Sequence, residues 1–177
     1  MQKSRPWILV AIMIAVLAAI MAAQGNKPSP SGEATLKFDD GKTVAIQYSR
    51  PSMRGREIFG GLVPYDRVWR TGANAATTLK TDVDLNIGGA DVPAGSYTLY
   101  TLPGKTSWKL IINKQTGQWG TQYSQSQDLA RVDMKVSQRS STLEQFTISF
   151  DMTGGDSATL KLEWDTTVAS VEMKEKK

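Results

Sequence analysis

Ala34 to Tyr48, ATLKFDDGKTVAIQY, decides the fold class. Ala34, Leu36 and Phe38 alternate with polar residues, and after Asp39-Asp40-Gly41-Lys42 the apolar positions resume at Val44, Ile46 and Tyr48. A period of two on both sides of a turn-forming tetrapeptide is the signature of an antiparallel β-hairpin with one buried face.

Working outward, the same period recurs. Leu79, Val83, Leu85 and Ile87 are apolar in Thr77 to Ile87, followed by a tight turn at Gly88 to Asp91. Tyr97 and Leu99 lie on one side of the strand Ser96 to Leu102, which leaves Tyr100 out of phase and expected at the surface. Trp108, Leu110 and Ile112 define another strand. Val132/Met134/Val136, Phe146/Ile148/Phe150 and Ala158/Leu160/Leu162/Trp164 predict three more, the last two joined through Met152 to Asp156. A further strand falls near Val168 to Met173. No long segment carries a helical period. Short strands punctuated by glycine turns predict an all-β antiparallel domain, a β-sandwich or jelly roll, over residues 34–173. A charged tail follows at 174–177, and Asn26 to Glu33 is expected to be a flexible linker.

The N-terminus bears on the compartment. Lys3 and Arg5 precede an apolar run from Trp7 to Ala23, and Ala23-Gln24-Gly25 has small residues where a signal peptidase cuts. Residues 1–25 are thus expected to be a secretory signal or, as the alternative, an uncleaved anchor tethering the domain through residues 7–23. Either places the folded part outside the cytoplasm, periplasmic or secreted.

Composition removes whole classes of chemistry. None of the 177 residues is His or Cys, so histidine bases, Cys-His and Ser-His-Asp sites, disulfides and His- or Cys-held metals are excluded. No cofactor is called for. Removing residues 1–25, with Lys3 and Arg5 and no acid, leaves 19 basic against 17 acidic residues. That balance gives no case for nucleic-acid binding, which needs a dense basic footprint.

One block does not alternate: Tyr48 to Thr78, YSRPSMRGREIFGGLVPYDRVWRTGANAATT. It is rich in glycine and arginine, yet interleaved Ile58, Phe59, Leu62, Val63, Tyr65, Val68 and Trp69 argue for order. An ordered loop of this length inside a compact domain is commonly a functional surface.

This block, with PAGSYTLYTLPG, WKLIINKQTGQWG and ATLKLEWD further on, resembles the bacterial family known as domain of unknown function 2911, over roughly Ala34 to Met173. The resemblance implies a secreted or envelope-associated bacterial β-domain and brings no activity with it. The family often has an acidic residue where this chain has Ala75, which weakens an enzymatic reading.

The candidate ligand contacts are Arg50, Arg54, Arg56, Arg67, Trp69, Arg70 and Asn74 in the block, with Trp119 and Tyr123 in a second polar loop, Gly117 to Gln127. A fan of guanidiniums can grip a carboxylate, phosphate or sulfated sugar by paired hydrogen bonds. Arginines in long loops more often bond backbone carbonyls, and that role is expected for most of these. Arg70 is the best ligand contact, because Trp69-Arg70-Thr71-Gly72-Ala73-Asn74 sets polar groups beside small residues. Trp108 and Trp164 are in phase with the core. Trp119 is weighed between a surface contact and a buried loop anchor, the latter favoured. Asp39, Asp40, Asp66, Asp82, Asp84 and Asp91 fit ordinary turn chemistry better than a metal or acid/base site.

The sequence thus favours a non-catalytic binding or interaction module for an anionic small molecule, a glycan or an envelope protein. One alternative is a carboxylate-dependent hydrolase without His or Cys, with Glu57 and Asp66 nominated. The other is an envelope scaffold component.

Overall fold

The computed structural model describes residues 28–177. The expected signal or anchor, residues 1–25, lies outside the described residues. Nine strands form the domain: β1 Ser31–Lys37, β2 Thr43–Ser49, β3 Thr77–Thr81, β4 Leu85–Ile87, β5 Ala90–Val92, β6 Gly95–Pro103, β7 Trp108–Asn113, β8 Asp128–Gly154 and β9 Ser157–Glu175. The one helical element among the described residues is a 3-10 turn, Gln125–Gln127. All pairings are antiparallel, in the order β1-β2-β3-β6-β7-β8-β9-β4-β5.

The opening hairpin forms in the register its alternation demands, with Ala34 opposite Ile46 and Leu36 opposite Val44. All four are buried. Lys42 closes the turn by donating its N–H to Asp40 Oδ1 at 3.0 Å. Strand β1 begins at Ser31, so part of the expected linker is ordered in the sheet; at the other end β9 runs on to Glu175, into the expected tail.

Two expectations about strand number change. The segment Thr77 to Ile87 is two strands in different parts of the sheet. Thr81 turns the chain by donating its hydroxyl to Val83 O at 2.7 Å and accepting from Val83 N at 3.2 Å. Conversely, the segments around Val132 and Phe146 belong to one long strand, β8, and those around Leu160 and Val171 to another, β9. The polar middle of β8, from Ser137 to Gln145, loses strict alternation but stays extended through register shifts.

Because β8 pairs with β7 over its first part and with β9 thereafter, it carries the sheet around a bend. The sheet folds back until β2 meets β8: Ile148 N donates to Tyr48 Oη at 2.9 Å, and the Tyr48 ring sits edge-on to Phe146. The inner face is a continuous apolar core including Ile46, Leu79, Leu99, Leu110, Leu160 and Trp164. Tyr48 to Thr78 crosses one end of that core between β2 and β3. Ile58 and Val63 dip into it, and Phe59 and Trp69 join Trp108, Phe146 and Trp164 in an aromatic cluster, Trp69 and Trp164 stacking at 6.0 Å. The irregular block is the core's end plug.

Candidate functional site

The plug does not lie flat against the domain. Between it and Gly120 to Tyr123 opens a cleft of about 650 Å³, within the range of small-molecule sites. Trp69, Arg70, Gly72, Ala73 and Asn74 form one wall, Gly120, Thr121 and Tyr123 the other, with Tyr100 and Trp164 also lining it. Pro28 and Ser29, Arg56 and Leu62 contribute to the rim. The lining holds two arginines and no acid.

The backbone around Arg70 is held in sparsely populated conformations. Of five non-glycine residues with positive φ among the described residues, Arg54, Asp66, Thr71 and Asn74 lie in this block. Thr71, at φ 52°, is β-branched and especially disfavoured there. It is over-determined by its surroundings: its hydroxyl bonds to Thr101 Oγ1 at 3.2 Å, and its carbonyl accepts from Thr77 Oγ1 at 2.7 Å. Gly72 has φ 151°, and a Cβ there would stand 2.9 Å from Ser49 O. Strain of this kind, paid for by tertiary bonds, clusters at ligand sites.

Arg70 immediately precedes the positive-φ Thr71. The Arg70 side chain lies across Gly120, where a Cβ would meet Arg70 Cδ at 2.6 Å and Asn74 O at 2.8 Å. Its Nε is buried without a hydrogen-bond partner. A buried guanidinium N–H left unbonded costs more than a neutral one, so native structures rarely keep it.

The other candidates divide. Arg50 braces the domain, donating to Phe146 O at 3.3 Å and Thr147 Oγ1 at 3.1 Å. Arg56 lines the cleft but donates to Met53 O at 2.9 Å and Ser52 O at 2.7 Å. Arg54 and Arg67 are exposed and stand outside the lining. Trp69 is half-buried, in both the aromatic cluster and the cleft wall. Asn74 donates to Ser29 O at 3.2 Å and Ser49 Oγ at 3.3 Å, fixing the chain's entry beside the cleft. Tyr123 lines the cleft with its hydroxyl tied to Asp128 Oδ2 at 2.7 Å.

Two sequence expectations are corrected here. Tyr100 is 1% exposed, not a surface residue: its ring meets Tyr123 edge-on at 4.9 Å, and its hydroxyl donates to Gln122 O at 3.2 Å. The polar loop covers the sheet's outer face at this point, which alternation alone does not reveal. Trp119, the favoured loop anchor, is 53% exposed. Its backbone pairs with Ala75. Gly120, Thr121 and Leu62 also line the cleft and are not marked by any sequence signal, since small, polar and aliphatic loop positions carry no pattern.

The acids are elsewhere. Glu57 and Asp66 are exposed and do not line the cleft. Asp40 pairs with Lys42, Asp82 accepts from Thr43, Asp84 from Ala94 N, and Asp91 pairs with Lys176. Among the described residues no three acids gather as metal ligands.

Compared with known proteins, residues 29–173 match the model of a family described as protein of unknown function (DUF2911). No curated protein and no solved structure matches the chain.

Proposed function

The chain belongs to the DUF2911 family, proteins of unknown function, and from that premise, which supplies no activity, we propose that it is a non-catalytic binding module holding an anionic group on Arg70. The observation that carries this reading is Arg70, which lines a cleft without a carboxylate and whose guanidinium has no hydrogen-bond or ion-pair partner among the described residues. An anion in the cleft would give that guanidinium a charge-assisted hydrogen bond and meet no acid in the lining. The hydrolase alternative loses support, because its nominated acids, Glu57 and Asp66, stand outside the cleft. The charged start, apolar run and small-residue end of residues 1–25 favour work outside the cytoplasm.

The first experiment is a thermal-shift panel on the full chain with phosphate, sulfate, organic acids and acidic sugars. Saturation a hundredfold above Kd stabilises by about 2.7 kcal/mol, a rise of several degrees. Arg70→Met should abolish that rise while keeping the native circular dichroism spectrum. An Arg70→Met protein that responds to the same anion as wild type would sink the reading. The exposed Trp119, next in the chain to the lining residue Gly120, favours a glycan as a second reading; a neutral oligosaccharide that stabilises wild type and not Trp119→Ala would establish it instead.

A further inference from the structure

Resting on that reading of the cleft, we infer that its anion is the headgroup of an anionic lipid, taken at a membrane surface. Three observations converge on the mouth. First, the large hydrophobic side chains left exposed among the described residues are Leu62, Trp119 and Met152. Leu62 lines the cleft at 44% exposure, and Trp119 immediately precedes Gly120 and Thr121 of its wall. Tryptophan and aliphatic groups beside arginines are the combination that settles at a headgroup boundary. Met152 belongs to the opposite end. It sits in the β8–β9 hairpin, whose Gly155 O accepts from Asp39 N at the far end of β1 from Pro28 and Ser29.

Second, the charged residues of the lining are both basic. They are Arg56 and Arg70, and the block from Tyr48 to Thr78 carries five arginines against Glu57 and Asp66. Anionic surfaces attract such segments over about a Debye length.

Third, the chain enters at this mouth. Ser29 O accepts from Asn74 Nδ2, and Pro30 O from Arg50 N at 2.7 Å, so Pro28 and Ser29 are pinned in the lining. The apolar run ends at Ala23. From Ala23 to Pro28 an extended chain spans at most about 18 Å. Retained as a span, residues 7–23 would keep the mouth within reach of the headgroups and hold a lipid ligand at high effective concentration. A soluble anion needs neither the exposed apolar rim nor this placement.

The test uses the full chain in phosphatidylcholine nanodiscs, with and without phosphatidylglycerol, read by hydrogen exchange of residues 70–74 and 118–124. Phosphatidylglycerol should slow exchange there about tenfold. Arg70→Met should remove that protection. The exposed pair Leu62→Ser with Trp119→Ala, which leaves the core untouched, should reduce it at least severalfold. Equal protection from glycerol 1-phosphate added to phosphatidylcholine discs, unaffected by the Leu62/Trp119 pair, would overturn the lipid inference and leave the anion cleft standing. No protection from either source would overturn both.

Discussion

Strands β6 and β7 are buried on both faces, but by opposite means. On the inner face Tyr97 and Leu99 lie beside Trp108, Leu110 and Ile112, and the packing is mainly apolar. On the outer face Thr98, Tyr100, Ile111 and Asn113 are equally buried on the side covered by residues 114–127, and three of the four carry a polar group. The hydrogen bonds are correspondingly dense. Thr98 donates to Gln115 O, Gln118 Nε2 donates to Thr98 Oγ1 and Tyr100 Oη, and Asn113 Nδ2 donates to Ser124 O and Asp128 Oδ1. The inner face is stabilised by removing area from water, roughly 25 cal/mol per Å². The outer one holds only while its partners stay paired. The first kind of packing supports the fold, and the second positions one wall of the cleft.

The strongest way to break the comparison is on the inner face. Trp164 stacks on Trp69, contacts Phe59 and Phe146, and donates Nε1 to Glu144 O at 3.1 Å. Trp164→Ala should cost about 3–5 kcal/mol, as for a large aromatic leaving a packed core. Because Trp164 joins the plug to the sheet, the loss should appear as one cooperative transition in urea, moved to a lower midpoint. Separate unfolding of the plug ahead of the sheet would show that the aromatic cluster does not join them.

Asn113 makes the matching test on the outer face. Beyond its two donated bonds, its Oδ1 accepts from Gln115 N at 3.0 Å. Asn113→Ala takes a partner from Asp128 Oδ1, Ser124 O and Gln115 N at once and should cost about 1–3 kcal/mol. Its signature should be local, with faster exchange across 114–127 and little change in the strands. An evenly spread loss would merge the two faces into one unit.

The same contrast explains what was legible in the sequence. Ala34 to Tyr48, the β8–β9 hairpin, Trp108 and Trp164 could all be placed because burial on one apolar face leaves a period of two. Tyr100 was misplaced because its cover, Gly117 to Gln127, looks like any solvated loop, and polar burial leaves no period. Trp119 was misjudged for the complementary reason: nothing in sequence distinguishes a ring tucked under a polar loop from one standing at its edge. Within the arginine block, Arg70 could be singled out from its small neighbours. That Arg50 and Arg56 would be spent on carbonyls of Phe146, Met53 and Ser52 depended on chain paths the sequence does not show.

The finest test concerns the cleft wall itself. Burial, and after it the hydrogen bond donated to Asp128, hold the Tyr123 hydroxyl above its ordinary value of 10.0, against a smaller opposing effect of Arg131. Folding therefore favours the neutral phenol. Its contribution is fully present below the unfolded value and is lost as pH rises past 10 through the higher folded value. The 114–127 segment should loosen in that window before the inner core does, and exchange at Thr121 to Ser124 should accelerate relative to β7. Tyr123→Phe removes the ionisable group, so the pH dependence of that relative rate should flatten while the ring's contact with Tyr100 persists. A variant with the same steep dependence as wild type would trace the loosening to other groups and leave Tyr123 as packing alone.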